Sequence, residues 1–271
     1  MAEWKEVNRL SRCPVCGKPD WCFVSPDRAV VCCNRIEEGS SKRLDGGGWL
    51  HVLKPTAEWV NDYVPKPKPL PEHNEVLADR ARRWISECDP KKIKDLSERL
   101  GVSEESLRLL NIGWLEQSGS WIFPMLRQRN RLIGIRVRPQ NGSKFAIKGS
   151  KNGLFVPNNL PNEGVVYVCE GESDTAAMLT CGLNAVGRPS CHGGDRLLAD
   201  LLKENKAVIC MDRDGVGRKG ANSLCDYLKC HIQDVRMIEP PDRYKDMRDW
   251  LHGEGKEKVY ITAKQVYGEP C

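Results

Sequence analysis

The carboxyl-terminal part of the chain alternates short apolar runs with stretches of helical periodicity. Residues 165–169 (VVYVC) and 207–211 (AVICM) are apolar runs of strand length, and 234–240 (DVRMIEP) has a similar character. Helical patterns lie between these runs, at SDTAAMLTCG and around residues 195–204 and 219–230. Strands that alternate with helices are typical of βαβ units. The pattern therefore predicts an α/β region built on a mainly parallel sheet.

The preceding part of the chain has a different pattern, in which helices are followed by short strands. Between residues 75 and 111, apolar residues such as Leu77 and Ala81 recur at helical spacing, in one longer helix and two shorter ones. Turns rich in Asn, Gly and Pro then separate three strand-like segments, which predicts an α+β unit. These segments are 121–126, 132–138 and 144–149.

Cysteines crowd the amino-terminal end of the chain. Five of the thirteen lie in the first 33 residues, and the run Cys13-Pro14-Val15-Cys16-Gly17 spaces two thiolates so that both can reach one tetrahedral Zn²⁺. A predicted hairpin (21–25 with 29–33) brings further cysteines to its open end. The alternative is a set of free, half-buried thiols. However, a module of about 50 residues has little core and gains stability from a structural metal. We expect the zinc ligands to be Cys13, Cys16, Cys22 and Cys33, with His51 or Cys32 as the substitute for the fourth.

A proline- and lysine-rich segment, KPTAEWVNDYVPKPKPLPEH, follows the cysteine-rich module and has no apolar period. Such a composition is typical of a semi-extended linker. The chain is therefore predicted to have four parts. They are a zinc module at 1–54, a linker at 55–73, a basic subdomain at 74–162 and an α/β subdomain at 163–271.

Composition narrows the class of protein. The 271 residues (30.6 kDa) are 40% hydrophobic and 29% charged, with a mean hydropathy of −0.52, which excludes membrane and disordered chains. No apolar run approaches the roughly 20 residues of a spanning helix, and the start MAEWKEVNRL lacks the apolar core of a secretory signal. An odd number of cysteines in such a chain argues against a disulfide framework. We expect a cytoplasmic protein that does not associate with membranes.

The modest net charge of +5 conceals a strongly basic segment. Between Glu116 and Glu163 the chain has no acidic residue, whereas a solvated face normally mixes both signs. A surface that carries only positive charges binds phosphates. We therefore expect this segment to contact nucleotides or nucleic acid. Its basic residues are Arg127, Arg129, Arg131, Arg136, Arg138, Lys144, Lys148 and Lys151.

Acidic residues follow the apolar strands of the α/β region. Glu170 ends the run VVYVCE, and Asp174 lies in the first turn of the next predicted helix. Asp212 and Asp214 follow AVICM, and Asp246 comes after the last predicted strand. Ligands bind at the carboxyl edge of open α/β sheets, and clustered carboxylates there favour Mg²⁺. In isolation, Asp174 is also explained as a helix-start acid, and Asp212-Arg213-Asp214-Gly215 as an ordinary turn.

These residues resemble a known family. Glu170-Gly171-x-x-Asp174 after one strand, Asp212-x-Asp214 after a later one, and Lys245-Asp246 beyond are similar to the Toprim domain of primases, topoisomerases and some nucleases. The cysteine-rich module resembles the zinc ribbon of bacteriophage and bacterial primases, although its second half departs from a CxxC pair. The segment between them resembles the basic half of the primase polymerase core. The implied fold is an α/β Toprim core with an α+β basic subdomain, preceded by a small all-β zinc ribbon.

The resemblance implies synthesis of short RNA primers from ribonucleoside triphosphates on single-stranded DNA. Asp212 and Asp214, with Glu170 or Asp246, would hold Mg²⁺ or Mn²⁺, and Glu170 is the implied general base. Asp174 completes the catalytic acids. The zinc module would read a short template sequence, and the linker would deliver the template to the active site. The implied binding residues for template or nucleotide are Arg136, Arg138, Lys144 and Lys148.

Two alternatives remain open at the level of sequence. One is another Toprim enzyme, a nuclease or a topoisomerase; the other is a non-catalytic zinc-ribbon protein that binds DNA. Since the sequence contains no phosphate-binding GxxxxGK[ST] motif, we expect a free-standing primase or primase half that works with a replicative helicase in trans.

Overall fold

The chain forms two compact units, residues 1–69 and 70–271. A computed structural model describes residues 4–44, 47–53, 70–191 and 193–267. Most of the predicted linker, residues 55–73, therefore lies outside the described residues.

The first unit is a small antiparallel sheet. Its strand order is β1-β2-β3-β5-β4, and every neighbouring pair is antiparallel. Its core combines Val7, Val24 and Val31 with three buried thiols. The predicted all-β character of this module is confirmed. The strands are β1 (Lys5–Glu6), β2 (Phe23–Val24), β3 (Val30–Cys33), β4 (Lys42–Arg43) and β5 (Trp49–Val52).

Three capped helices open the second unit. They are α1 (Glu75–Ser86), α2 (Pro90–Leu100) and α3 (Glu104–Leu109). Asp89 caps α2 through the backbone N–H of Lys91, and Pro90 occupies the first helical position, where its missing N–H costs nothing. The helix ends at Gly101, whose φ of +62° requires the left-handed region that glycine adopts most easily.

A four-stranded antiparallel sheet follows, in chain order. The third predicted strand, 144–149, is reduced to two residues because a loop containing Gly142 precedes it and a turn at Gly149 follows it. β7 is buried along its whole length. The strands are β6 (Gly113–Leu115), β7 (Ser120–Leu126), β8 (Leu132–Pro139) and β9 (Phe145–Ala146).

The carboxyl-terminal half contains a four-stranded sheet whose described pairs are all parallel, which confirms the predicted α/β core. The strand order is β11-β10-β12-β13, and helices connect the strands. The strands are β10 (Gly164–Glu170), β11 (Ala185–Arg188), β12 (Asn205–Cys210) and β13 (Val235–Ile238). The helices are α4 (Gly171–Thr180), α5 (Asp195–Leu201), α6 (Gly215–Lys229), α7 (Met247–Glu254) and α8 (Lys256–Gln265).

The two sheets of the second unit share their hydrophobic core. Trp121 and Phe123 of β7 pack in one cluster with Tyr167 of β10 and Trp250 of α7. Phe155 also joins β11 directly, since its backbone N–H and C=O bond to Gly187 at 2.8 and 2.9 Å. The antiparallel and parallel halves are therefore packed together as one unit.

The described cysteines are all free thiols. Among the described helices, none combines the length and the apolar character needed to cross a lipid bilayer.

Candidate active site and zinc site

Carboxylates gather at the carboxyl edge of the parallel sheet. Glu170 is the last residue of β10, Asp212 follows β12 by two residues, and these strands are neighbours. From β10 the chain first adds β11 on one side and then crosses over to β12 on the other. The acids therefore flank the topological switch point, where open α/β sheets bind their ligands.

Asp174 lies in the first turn of α4 and is only 7% exposed. Its Oδ1 accepts a hydrogen bond from the backbone N–H of Arg248, at 3.0 Å, which connects α4 to the start of α7. Burial, followed by the negative charges of Asp246 and Asp212, raises the pKa of Asp174 to about 7. Three of the predicted acids therefore act on one another electrostatically.

Asp214 and Asp246 each cap a helix. Oδ1 of Asp214 accepts hydrogen bonds from the backbone N–H groups of Val216 and Gly217, at 3.0 and 2.6 Å. Oδ1 of Asp246 accepts one from Asp249, at 2.8 Å. Because capping fixes these side chains at helix amino termini, both carboxylates are pre-oriented. The Asp214 cap also explains why α6 begins at Gly215 rather than at the predicted residue 219.

Asp212 experiences the repulsion of the whole cluster. Burial first, and then the charges of Glu170, Asp246 and Asp214, raise its pKa to about 7. A bound divalent cation would remove this repulsion, and carboxylate oxygens are the ligands that Mg²⁺ and Mn²⁺ prefer. The chemistry of the donor set therefore suits such a cation, although among the described residues only four cysteines of the first unit have ligand atoms that all lie within 4.8 Å of one another.

A buried arginine that the sequence analysis missed lies beside Glu170. Arg188 ends β11, is 2% exposed, and places Nη2 3.9 Å from Oε2 of Glu170. Its Nη1 donates a hydrogen bond to the carbonyl oxygen of Cys191 at 2.8 Å. The position of Arg188 directly after an apolar run was the available sequence signal.

Glu172 was also missed, and it joins the two halves of the second unit. Its carboxylate is 2% exposed and accepts hydrogen bonds from Nη1 of Arg138 at 2.9 Å and Nζ of Lys144 at 2.8 Å. Burial alone would raise the pKa of Glu172, but Lys144 and Arg138 outweigh burial and lower it below its ordinary value. An acid beside the Glu170-Gly171 motif, facing a segment without acids, was the signal that could have revealed it.

The other predicted basic residues take different positions. Arg136 donates a hydrogen bond to the carbonyl oxygen of Pro189, at 3.2 Å, and Lys148 is exposed after β9. Arg127 and Arg129 lie in the turn that follows β7, which ends at Leu126.

A basic cavity of about 250 Å³ is lined by the partners of Glu172 and by Arg248, whose backbone bonds Asp174. Leu96, Leu100 and Trp121 contribute apolar walls. Its four cationic side chains belong to α2, β8, the loop after β8, and α7. They are Arg99, Arg138, Lys144 and Arg248.

Four thiols meet in the first unit. The sulfurs of Cys13, Cys16, Cys22 and Cys33 lie within 4.8 Å of one another, with 3.7 Å from Cys16 to Cys22 and 4.0 Å from Cys22 to Cys33. Tetrahedral Zn²⁺ with Zn–S bonds of about 2.3 Å requires sulfurs about 3.8 Å apart. The four thiols therefore fit zinc.

The two substitute ligands lie outside this cluster. Cys32 points away because adjacent strand residues face opposite sides of a sheet, and its Sγ is 4.0 Å from Oδ1 of Asn34. His51 is buried, and its Nε2 is hydrogen-bonded to the carbonyl oxygen of Ile36 at 2.8 Å.

Residues 167–251 match the family model described as Toprim-like. The parallel sheet and its acids therefore form a Toprim-like domain, as the sequence resemblance predicted. Among curated protein sequences, none matches this chain.

The fold of the second unit is also that of bacterial primase cores. The E. coli primase catalytic core is 18% identical, with 71% of this chain and 79% of that chain covered and a TM-score of 0.55. The DnaG primase catalytic domain bound to single-stranded DNA is 18% identical, over 71% and 78%, with a TM-score of 0.55. The Aquifex aeolicus primase, with its zinc-binding and RNA polymerase domains, is 15% identical, over 94% and 78%, with a TM-score of 0.56. The predicted fold class is confirmed.

Proposed function

We propose that this protein is a DNA primase, a nucleotidyltransferase that makes short RNA primers on single-stranded DNA. The observation that carries the proposal is the junction of the two halves of the second unit. There the basic cavity is joined to the Toprim-like half by Glu172, which binds Arg138 and Lys144, and by Arg248, whose backbone bonds Asp174 of the acidic cluster. Carboxylates to hold a cation and arginines to hold phosphates are the groups that phosphoryl transfer requires.

In this proposal, Asp212 and Asp214, with Glu170 or Asp246, hold one or two Mg²⁺ or Mn²⁺ ions. The metal supplies positive charge that stabilises the attacking 3′-oxygen and the leaving pyrophosphate. The caps of Asp214 and Asp246 keep their carboxylates in place, so little side-chain entropy is lost when a cation binds. Glu170 is the proposed general base for the 3′-hydroxyl proton.

The cations of the basic cavity bind phosphates of the template or of the ribonucleoside triphosphates. Arg138 and Lys144 are held by Glu172, and this fixes their direction before a ligand arrives. Arg248 is carried by α7, whose first turn also bonds Asp174. The same helix turn therefore reaches both the acidic cluster and the basic cavity.

The first unit is proposed to bind structural Zn²⁺ through Cys13, Cys16, Cys22 and Cys33. Their spacing fits the metal, and the bound metal orders a module whose core is small. We also propose that this module contacts template DNA, and that a replicative helicase assists the enzyme in trans.

The proposal is tested with purified full-length protein, single-stranded DNA, Mg²⁺ and labelled ribonucleotides. Short oligoribonucleotides should form. Asp212→Asn and Asp214→Asn should each reduce their yield at least 100-fold, because both substitutions remove a metal-binding charge. The second variant keeps a side-chain oxygen that can still cap α6, so its loss of activity would not come from a lost cap. Asp242→Asn is the matched control, since Asp242 is a 96% exposed acid of the same half.

The same gel separates the alternatives. Shortening of the DNA would indicate a nuclease, and DNA binding without synthesis on any template would indicate a binding protein. Full activity of the Asp212 variant would contradict the metal assignment.

A further inference from the structure

The zinc-binding unit keeps one large aromatic residue in an unfavourable backbone conformation. Trp21 has a φ of +61°, in the left-handed region that bulky residues rarely adopt. Its backbone N–H donates a hydrogen bond to Oε1 of Glu6 at 3.3 Å, and its carbonyl oxygen accepts one from Nδ2 of Asn34. The side chain is nevertheless 57% exposed, so its burial does not offset the strain. A strained residue with an exposed ring indicates function rather than packing.

Arg35 connects this ring to the zinc thiols. Its Cζ lies 5.3 Å from the centroid of the Trp21 ring, so the guanidinium covers one face. Its Nη1 is 3.9 Å from Sγ of Cys16 and 3.6 Å from Sγ of Cys22, and donates a hydrogen bond to the carbonyl oxygen of Asp20 at 2.7 Å. Its Nη2 also pairs with the carboxylate of Asp20, so the guanidinium is held between the thiol cluster, Asp20 and the indole.

Two more aromatic rings of the first unit are exposed, one in β2 and one just before β1. Phe23 is 38% exposed and Trp4 is 36% exposed. The antiparallel register pairs Phe23 with Glu6, and Trp4 lies two residues before Glu6. Directly paired residues of an antiparallel sheet share a face, so Phe23 lies on the face of Glu6, the residue that also bonds the backbone of Trp21. Exposed aromatic rings in so small a unit are suited to binding a partner.

We propose that the uncovered face of Trp21 stacks an unpaired base of single-stranded DNA, and that Arg35 couples this stacking site to the bound zinc. Every base has a π-face, so an exposed indole binds single strands without requiring a particular sequence. Arg35 adds a cation next to the stack, where it attracts the DNA backbone. The thiolates that bind zinc contact Arg35, so removal of the metal weakens this hold and leaves Arg35 bound to Asp20. The choice of DNA as the ligand rests on the proposed function.

The stacking site is tested by fluorescence anisotropy of a labelled single-stranded oligonucleotide with full-length protein, in Mg²⁺ and without nucleotides. Trp21→Gly should weaken binding roughly 5- to 150-fold, the effect of losing one base stack. Trp21→Phe keeps a ring and should stay within about 3-fold of the wild type. Leu10→Ala is the control, because Leu10 is a fully exposed apolar residue of the same unit.

The glycine variant separates function from folding. Glycine adopts positive φ without strain, so Trp21→Gly should retain its zinc and melt no lower than the wild type. DNA affinity would then fall while stability does not, which a packing role cannot produce. If Trp21→Gly binds DNA as tightly as the wild type, the proposal is overturned and a protein partner becomes the occupant of the aromatic surface. Loss of zinc in this variant would also overturn it.

The coupling to zinc is tested with a thermodynamic cycle. Arg35→Gln should weaken DNA binding, and the double variant with Trp21→Gly should be little weaker than Trp21→Gly alone. Removal of zinc with a chelator should likewise reduce the affinity of the wild type more than that of Trp21→Gly. Equal losses in both proteins would contradict the coupling. These binding measurements need no synthesis, so a failure to make primers would contradict the proposed function and leave this inference standing.

Discussion

Glu172→Gln removes the negative charge of a buried side chain and leaves the shape of that side chain almost unchanged. The variant leaves Arg138 and Lys144 without the counter-charge that they contact at 2.9 and 2.8 Å. Removing one partner of a buried ion pair costs about 3–5 kcal/mol. Because Lys144 is 40% exposed and water screens its charge, we expect the free energy of unfolding to fall by about 2–4 kcal/mol. For a unit of this size, the Tm should fall by roughly 5–12 °C.

Thermal unfolding followed by circular dichroism measures this change, with Glu163→Gln as the control because Glu163 is exposed. Arg138→Gln should destabilise the protein as well, and the double variant should lose less than the sum. The pKa of Glu172 is lowered in the folded state, so its contribution is present above the ordinary glutamate value of 4.5 and is lost as the pH falls below it. The difference in Tm between wild type and variant should therefore narrow in acid. An unchanged Tm at pH 7, or additive effects in the double variant, would refute the reasoning.

Three further predictions concern the acids, the thiols and the packing of the sheet. When a chelator keeps divalent cations away, the pKa of Asp174 in the folded state, about 7, exceeds its value in the unfolded state, about 3.9. Between these two values the folded state binds an extra proton. The free energy of unfolding should therefore fall as the pH rises from about 4 to 7. Asp174→Asn should therefore raise the Tm of metal-free protein at pH 7.5, and a lower Tm would contradict this. Elemental analysis should find about one zinc per chain in Cys32→Ser and none in Cys33→Ser; equal zinc in both would refute the ligand set. A Cβ at Gly187 would lie 2.3 Å from a threonine hydroxyl of α4, so Gly187→Ala should cost about 1–3 kcal/mol. Gly215→Ala, where nothing lies within 4 Å, should cost nothing measurable.

The sequence was sufficient to predict the helices and strands and to place the acids at one edge of the parallel sheet. Apolar runs of strand length, separated by helical patterns, specify a parallel sheet, and acids that directly follow those runs lie at one edge of the sheet. Glu170 and Asp212 could be placed in this way because each stands at the end of a single strand. The cysteine spacing was similarly informative about the metal.

The contacts between distant segments could not be predicted. Glu172 in α4 and Arg138 in β8 are 34 residues apart, so their ion pair depends on how the two halves of the second unit pack. The choice between Cys32 and Cys33 depends on the register of a hairpin, in which Phe23 pairs with Cys32. A shift of one residue would exchange the two thiols, and no local pattern determines that register.

This protein is proposed to build RNA on a DNA template with the acids of its Toprim-like sheet. The most direct measurement is mass spectrometry of the products formed from single-stranded DNA, Mg²⁺ and the four ribonucleoside triphosphates. The proposal predicts short oligoribonucleotides that carry a 5′-triphosphate, are complementary to the template, and are absent with Asp212→Asn. Intact nucleotides on every template tested, or fragments of the DNA itself, would contradict it.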